Sequence, residues 1–121
     1  MKRYQDWEVF TIAYNCALEI HRMTMKLPKY EMYEQGSQIR RSSKSIKNNI
    51  AEEFGRRRYK NEFLRFLVFA HASCDETISE LSMISDIHFE DNTLDNLIDQ
   101  YDKLGRKLNS FIQYVEKSWQ T

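Results

Sequence analysis

Eight basic side chains crowd into the stretch SQIRRSSKSIKNNIAEEFGRRRYKNEF, from Ser37 to Phe63: Arg40, Arg41, Lys44, Lys47, Arg56, Arg57, Arg58 and Lys60, against Glu52, Glu53 and Glu62. Cations three and four residues apart line up along one flank of a helix. A row of that kind suits a phosphate backbone, whose condensed counterions it would displace. The same residues have a plainer use, because Lys and Arg clothe the wet side of packed helices and complement the dipole of a last helical turn. Other chemistry finds less support. His71 and Cys74 stand in an H-x-x-C spacing, yet no second pair completes a zinc site. No E-x-x-H is present to build a di-iron centre, and there is neither a glycine-rich phosphate loop nor a nucleophile elbow. His21 and His88 are isolated. No enzymatic activity, metal or cofactor is expected.

The charge is distributed unevenly around a net of zero: residues 1–60 hold 13 Lys/Arg and 7 Asp/Glu, and residues 61–121 hold 5 and 11. Such a split argues for oppositely charged faces, or for a subunit whose halves attract a neighbour, rather than for attraction of the whole chain to polyanions. At 121 residues, with three Gly and one Pro, the chain suits a single domain, residues 1–121, of long helices and short loops. No window approaches the roughly 20 apolar residues of a membrane span, and the opening MKRYQDWEVF has no signal-peptide character. A cytoplasmic protein without a membrane partner is expected. Cys16 and Cys74 each fall inside an apolar pattern and are expected to be buried, reduced thiols.

The elements that would carry the basic row follow from apolar periodicity. Leu94, Leu97, Tyr101, Leu104, Leu108, Phe111 and Val115 alternate spacings of three and four, with Asp91 and Asn92 as start signals. Phe63, Phe66 or Leu67, Ala70, Cys74, Thr77 or Ile78, Leu81 and Ile84 repeat the pattern. Val9, Ala13, Cys16, Ile20, Met23 and Leu27 do so again until Pro28 stops the run. The weakest stripe is Ile39, Ser43, Ile46, Ile50 and Phe54, within a sector of about 80°, with Arg40, Lys44 and Lys47 beside it and Arg41 further round. Ser42, Ser43 and Ser45 permit close helix approach, and their hydroxyls can bond carbonyls one turn back. Gly55 suits a left-handed helix end. The spacing predicts helices over residues 6–27, 34–56, 61–87 and 92–118, an all-α, antiparallel up-down-up-down four-helix bundle. Trp7, Phe10, Tyr14, Phe69, Phe89 and Trp119 lie off the stripes, and some of them are expected to be covered only in an oligomer.

The stretch LPKYEMYEQGSQIRRSSKSIKNNIAEEFGR resembles the signature of four-helix bundle proteins encoded in intervening sequences of bacterial 23S ribosomal RNA genes. That signature runs F-P-K-x-E, then S-Q-x-R-R-A-A-x-S-I-P-x-N-I-A-E-G, then G-R. Here Pro28, Lys29 and Glu31 match, then Ser37, Gln38, Arg40, Arg41, Ser45, Ile46, Asn49, Ile50, Ala51 and Glu52, then Gly55 and Arg56. DWEVF and FLRFLVFAHAS are similar to the starts of the family's first and third helices. The resemblance implies a ring-shaped homo-oligomer, commonly a pentamer, with RNA association suggested by gene context and no settled enzymatic activity. It also implies kinship with the accessory protein of diversity-generating retroelements, a basic pentamer that works with a reverse transcriptase and nucleic acid.

Three departures from the signature bear on function. Lys44 stands where an aliphatic or small residue is usual, Lys47 replaces Pro, and Glu53 replaces Gly. The lysines add charge beside Arg40, Glu53 subtracts it, and the restored N–H at Lys47 removes the cause of a kink. Asn49, placed opposite the core stripe, and Glu52 are expected at an oligomer interface or in a polar network with Arg40 or Arg41. Arg40, Arg41, Lys44, Lys47, Arg56, Arg57, Arg58 and Lys60 are expected to meet RNA or DNA. The competing expectation is an oligomeric protein-interaction scaffold, or an accessory subunit of an enzyme such as a reverse transcriptase.

Overall fold

In the computed structural model, which describes residues 7–90 and 92–119, each apolar stripe becomes the buried side of a helix. Helix α1 spans Glu8–Thr24, α2 Lys29–Met32, α3 Gln35–Gly55, α4 Lys60–His88 and α5 Asp95–Ser118, and no strand occurs among the described residues. The four long helices form a bundle in which α1 packs on α3 and α5, and α4 packs on the same two. Helices α3 and α5 therefore sit diagonally, so their outer faces point in opposite directions. Between α3 and α4, Ser42 meets Thr77 and Ser45 meets Ser73; between α1 and α5, Glu8 meets Lys107 and Cys16 meets Gln100.

The sequence did not announce α2. Pro28 supplies a φ of −53° and a carbonyl that accepts the N–H groups of Glu31 and Met32, each at 2.9 Å, so one short helix forms after the break. Helix α1 stops at Thr24, before Leu27, while Leu27 remains buried in the core. Gly55 is not a left-handed cap. It stays helical, and α3 ends through the Arg56 N–H on Glu53 O at 2.9 Å and the Arg57 guanidinium on Phe54 O at 2.6 Å. Helix α3 runs unbroken through Lys47. Of the start signals for α5, Asn92 contributes its backbone carbonyl, which accepts the Asp95 N–H at 3.2 Å, and no side chain caps the helix at Leu94; Asp91 lies outside the described residues.

The core holds Ile20, Ile39, Ile46, Ile50, Phe63, Leu67, Leu81, Ile84, Tyr101, Leu104 and Leu108, all without exposure. Where the sequence left two residues for one position in α4, Leu67 and Thr77 point inward, and Phe66 and Ile78 sit at the margin. Trp7 and Trp119 join the core at one end, with Trp7 5.0 Å from Phe54 and Trp119 4.7 Å from Phe63 between ring centroids. Phe10 and Phe89 pack against the core too, whereas Tyr14 and Phe69 are exposed. Cys16 and Cys74 are buried and free, and desolvation pushes both thiols up to about 12, where they are protonated and inert.

Glu53 is the unexpected member of the interior. It has no exposure, and neither carboxyl oxygen has a hydrogen-bond partner. Burial alone pushes its pKa up to about 9, so the side chain is a neutral acid at pH 7. The unfolded chain ionises this group near 4.5, so between about 4.5 and 9 the folded state holds a proton that the unfolded state has released. Raising the pH through that window then favours unfolding. Glu53→Gln removes this component. In urea titrations at a series of pH values, the stability of the variant relative to the wild type is expected to climb by up to about 1.4 kcal/mol per pH unit across the window. A pH-independent difference would show that Glu53 is ionised in the fold.

Candidate nucleic-acid interface

The basic residues separate by what their side chains already hold. Arg40 turns inward: its guanidinium donates to Thr24 Oγ1 at 2.9 Å and to Met32 O at 3.0 Å, joining α3 to the end of α1 and to α2. Gly36 makes the room, since a Cβ there would lie 3.1 Å from Arg40 Nη1 and 3.2 Å from Glu31 O. Beside it Glu31, buried, meets His88 at 2.6 Å and accepts from Gln35 Nε2 at 3.2 Å, which ties α2 to the end of α4. The signature residues Pro28, Glu31 and Arg40 thus build one corner of the bundle. Arg40 is off the outer strip on which the helical projection placed it.

Arg41 replaces it there. Arg41, Lys44 and Asn48 are exposed along the outer face of α3, at successive spacings of three and four, and neither cation forms an ion pair among the described residues. Lys47 is half-buried and donates to Asn48 Oδ1 at 2.7 Å. In the turn after α3, Arg58 is exposed. Arg56 pairs with Glu52 at 3.0 Å and Glu62 at 3.9 Å, and Lys60 donates to Glu116 O at 2.8 Å. Arg57 lies 3.8 Å over the Phe54 ring, and its carbonyl accepts from Trp119 Nε1 at 2.8 Å. Arg57 and Lys60 therefore pin the junction of α3 and α4 to the end of α5 and the residue after it.

Asn49 and Glu52 engage neither Arg40 nor Arg41 within the chain. Asn49 is half-buried on the flank facing α4, not opposite the core, and donates to Ser45 O at 2.9 Å and Ser45 Oγ at 3.1 Å. It extends a polar seam in which Ser45 and Ser73 hydroxyls meet at 3.0 Å, Thr77 donates to Ser42, and Ser42 donates to Glu80 at 2.6 Å. Burial raises the Glu80 carboxyl, and the Ser42 hydrogen bond opposes that rise. The protonated Glu53 carries no negative charge to the strip, contrary to its expected effect.

Two groups of cations were missed. Arg65 lies 5.4 Å over Phe66 and 5.6 Å over Phe69, on the side of α4 next to Arg56. Its signal is the R-F-x-x-F spacing within FLRFLVFAHAS. Lys103, Arg106 and Lys107 line a groove between α1 and α5 with Glu8, whose carboxylate is lowered by its hydrogen bond and ion pair with Lys107 at 2.8 Å. Their spacing of three and one was hidden inside a chain half with an acidic balance. Among the described residues no three His, Cys, Asp or Glu side chains are grouped to hold a metal ion. No helix among them is long and apolar enough to cross a membrane.

Comparison with known families matches residues 5–110 to the model of the 23S rRNA-intervening sequence protein. No curated protein matches the chain. The match takes in the signature corner, the basic strip and all of α1 to α4.

The division of the arginines is open to measurement. Arg40→Ala deletes two hydrogen bonds from a charged donor and is expected to cost about 2 kcal/mol in urea unfolding. Arg41→Ala, on the open face, is expected to stay within about 0.5 kcal/mol of the wild type. Equal losses would contradict the assignment of Arg40 to the corner.

Proposed function

The chain belongs to the 23S rRNA-intervening sequence protein family, and from that premise we propose that it is a non-catalytic, homo-oligomeric, cytoplasmic protein that binds RNA or another nucleic acid. The surface is the outer face of α3 and the turn that follows it. The observation that carries this reading is the outward placement of Arg41, Lys44 and Arg58, three exposed cations in a protein of zero net charge. Cations whose charge is not spent within the fold are the ones free to displace counterions from phosphates. Lys47 and Arg56 extend the surface, because exposed ion pairs such as Arg56 with Glu52 are weak and exchange readily for a phosphate. Arg40, Arg57 and Lys60 contribute positive potential from positions set by the fold.

The architecture we read is an antiparallel up-down-up-down four-helix bundle, assembled as a ring, with five copies suggested by the family likeness. The reversed residue order along the neighbouring helices supports the first part. The exposed Asp95, Asp99 and Asp102 lie on α5, diagonal to the basic face of α3. Complementary patches on opposite sides of one subunit make heterologous contacts, which close into rings when the rotation allows, but that contact would cover Arg41 and Lys44, so it belongs to the reading in which α3 meets protein.

The same charge placement favours a second reading, an oligomeric scaffold or accessory subunit of a nucleic-acid-processing enzyme such as a reverse transcriptase. In it, α3 meets an acidic protein surface rather than phosphates. The two readings differ in what salt dissolves. Titration with structured ribosomal RNA fragments at low salt is expected to show binding that Arg41→Glu with Lys44→Glu weakens at least tenfold, with the dependence of log K on log salt shallower by roughly two. Absence of binding, or binding that the double variant leaves intact, overturns the RNA reading. Native mass measurement across a salt series is expected to show an oligomer that persists; dissociation by salt alone would favour the scaffold.

A further inference from the structure

Tyr59, Phe66 and Phe69 form an aromatic row beside the α3–α4 turn, along about 15 Å of helix axis. Tyr59 is 62% exposed and Phe69 44%. Rings this open, in a bundle that buries its other phenylalanines wholly or partly, sit among cations: Arg56 lies 5.0 Å from the Phe66 centroid, Arg65 lies 5.4 Å from Phe66 and 5.6 Å from Phe69, and Arg58 and Lys60 flank Tyr59. Glu52 and Glu62 are the acids of this corner, both held by exposed ion pairs to Arg56 or Arg65.

We infer that this corner is a stacking platform for unpaired nucleotides of single-stranded RNA, with bases on the faces of Tyr59 and Phe69 and phosphates on Arg56, Arg58 and Arg65. The inference rests on the nucleic-acid reading above and narrows it to unpaired RNA. Two properties of the corner select that ligand. Exposed π-faces take up bases whatever their identity, but a duplex keeps its base faces stacked on one another and offers only edges and phosphates. The guanidinium groups are planar and weakly hydrated, and those of Arg56 and Arg65 already lie over rings, so they can pair with a phosphate or lie over a base. The positive surroundings fit a polyanion better than an apolar partner of mixed charge. The outer strip of α3, which has Arg41 and Lys44 but no exposed aromatic ring, does not distinguish paired from unpaired nucleic acid.

The experiment compares a uridine-rich single strand with a hairpin duplex, titrated into the full chain at low salt with anisotropy as readout. The variants are Tyr59→Ala, Phe69→Ala and Phe69→Leu, the last keeping an apolar side chain over the same surface without its π-face. The single strand is expected to bind more tightly than the duplex. Each aromatic variant is expected to weaken the single strand at least about fivefold while leaving the duplex unchanged, with native mass unaltered. Equal or tighter duplex binding, or single-strand affinity untouched by all three variants, overturns the inference. So does a change of native mass in the Phe69 variants, which would assign that ring to a neighbouring copy. If both ligands bind and only Arg41→Glu with Lys44→Glu weakens the single strand, the platform fails and the broader reading stands. If neither ligand binds, both fail together.

Discussion

Along the seam between α3 and α4, hydroxyl groups occupy the positions that branched aliphatic side chains fill elsewhere in the bundle. Ser42, Ser45, Ser73 and Thr77 are small enough to bring the two helices close, and each hydroxyl has a partner across the seam or one turn back. Burying them without partners would cost more than the close approach returns. This condition fixes the rotation of α3. Once its serines face α4 and Ile39, Ile46 and Ile50 face the centre, Arg40 is directed towards α1 and Arg41 and Lys44 are left outside. The proposed binding face is thus the remainder of a packing solution.

The corner at the opposite end of α3 from the basic turn follows the same logic with charged groups. Arg40 is held by a hydroxyl and a carbonyl, and Glu31 by an imidazole and an amide. A half-buried ion with hydrogen bonds on several sides positions backbone segments well even where its net contribution to stability is small. That explains why a stretch carrying the family signature contains residues with no outward role. In this chain the signature residues Pro28, Glu31 and Arg40 mark how α1, α2, α3 and α4 are joined, whereas Arg41, also of the signature, stands on the outer face of α3. Lys44 and Lys47, both departures from the signature, lie outside this corner.

Glu53 runs against this pattern, because it is buried with no partner at all. Its neutrality is the cheaper of two expensive states, as an ionised carboxylate there would lack both water and a counter-charge. A glycine at this place would leave no carboxyl to bury. The substitution therefore couples the stability of α3, the helix that presents the cations, to the protonation of one interior group.

The apolar stripes were legible in the sequence because helix geometry maps spacing directly onto a face, so four long helices, their approximate limits and nearly the whole core could be read from residue order. Trp7 and Trp119 could not be placed that way, since each lies near a chain end where the stripe gives no direction and is fixed by rings from other helices. The proposed binding face was half legible. Projection of one helix found the cations, but whether a basic side chain points to solvent or reaches back depends on neighbours distant in sequence: Thr24 for Arg40 and Glu116 for Lys60. The burial of Glu53 is likewise invisible from α3 alone. Local order determines which residues share a face; tertiary packing decides which of those faces meets water, because only the neighbouring helices supply the carbonyls, rings and excluded volume that commit a side chain.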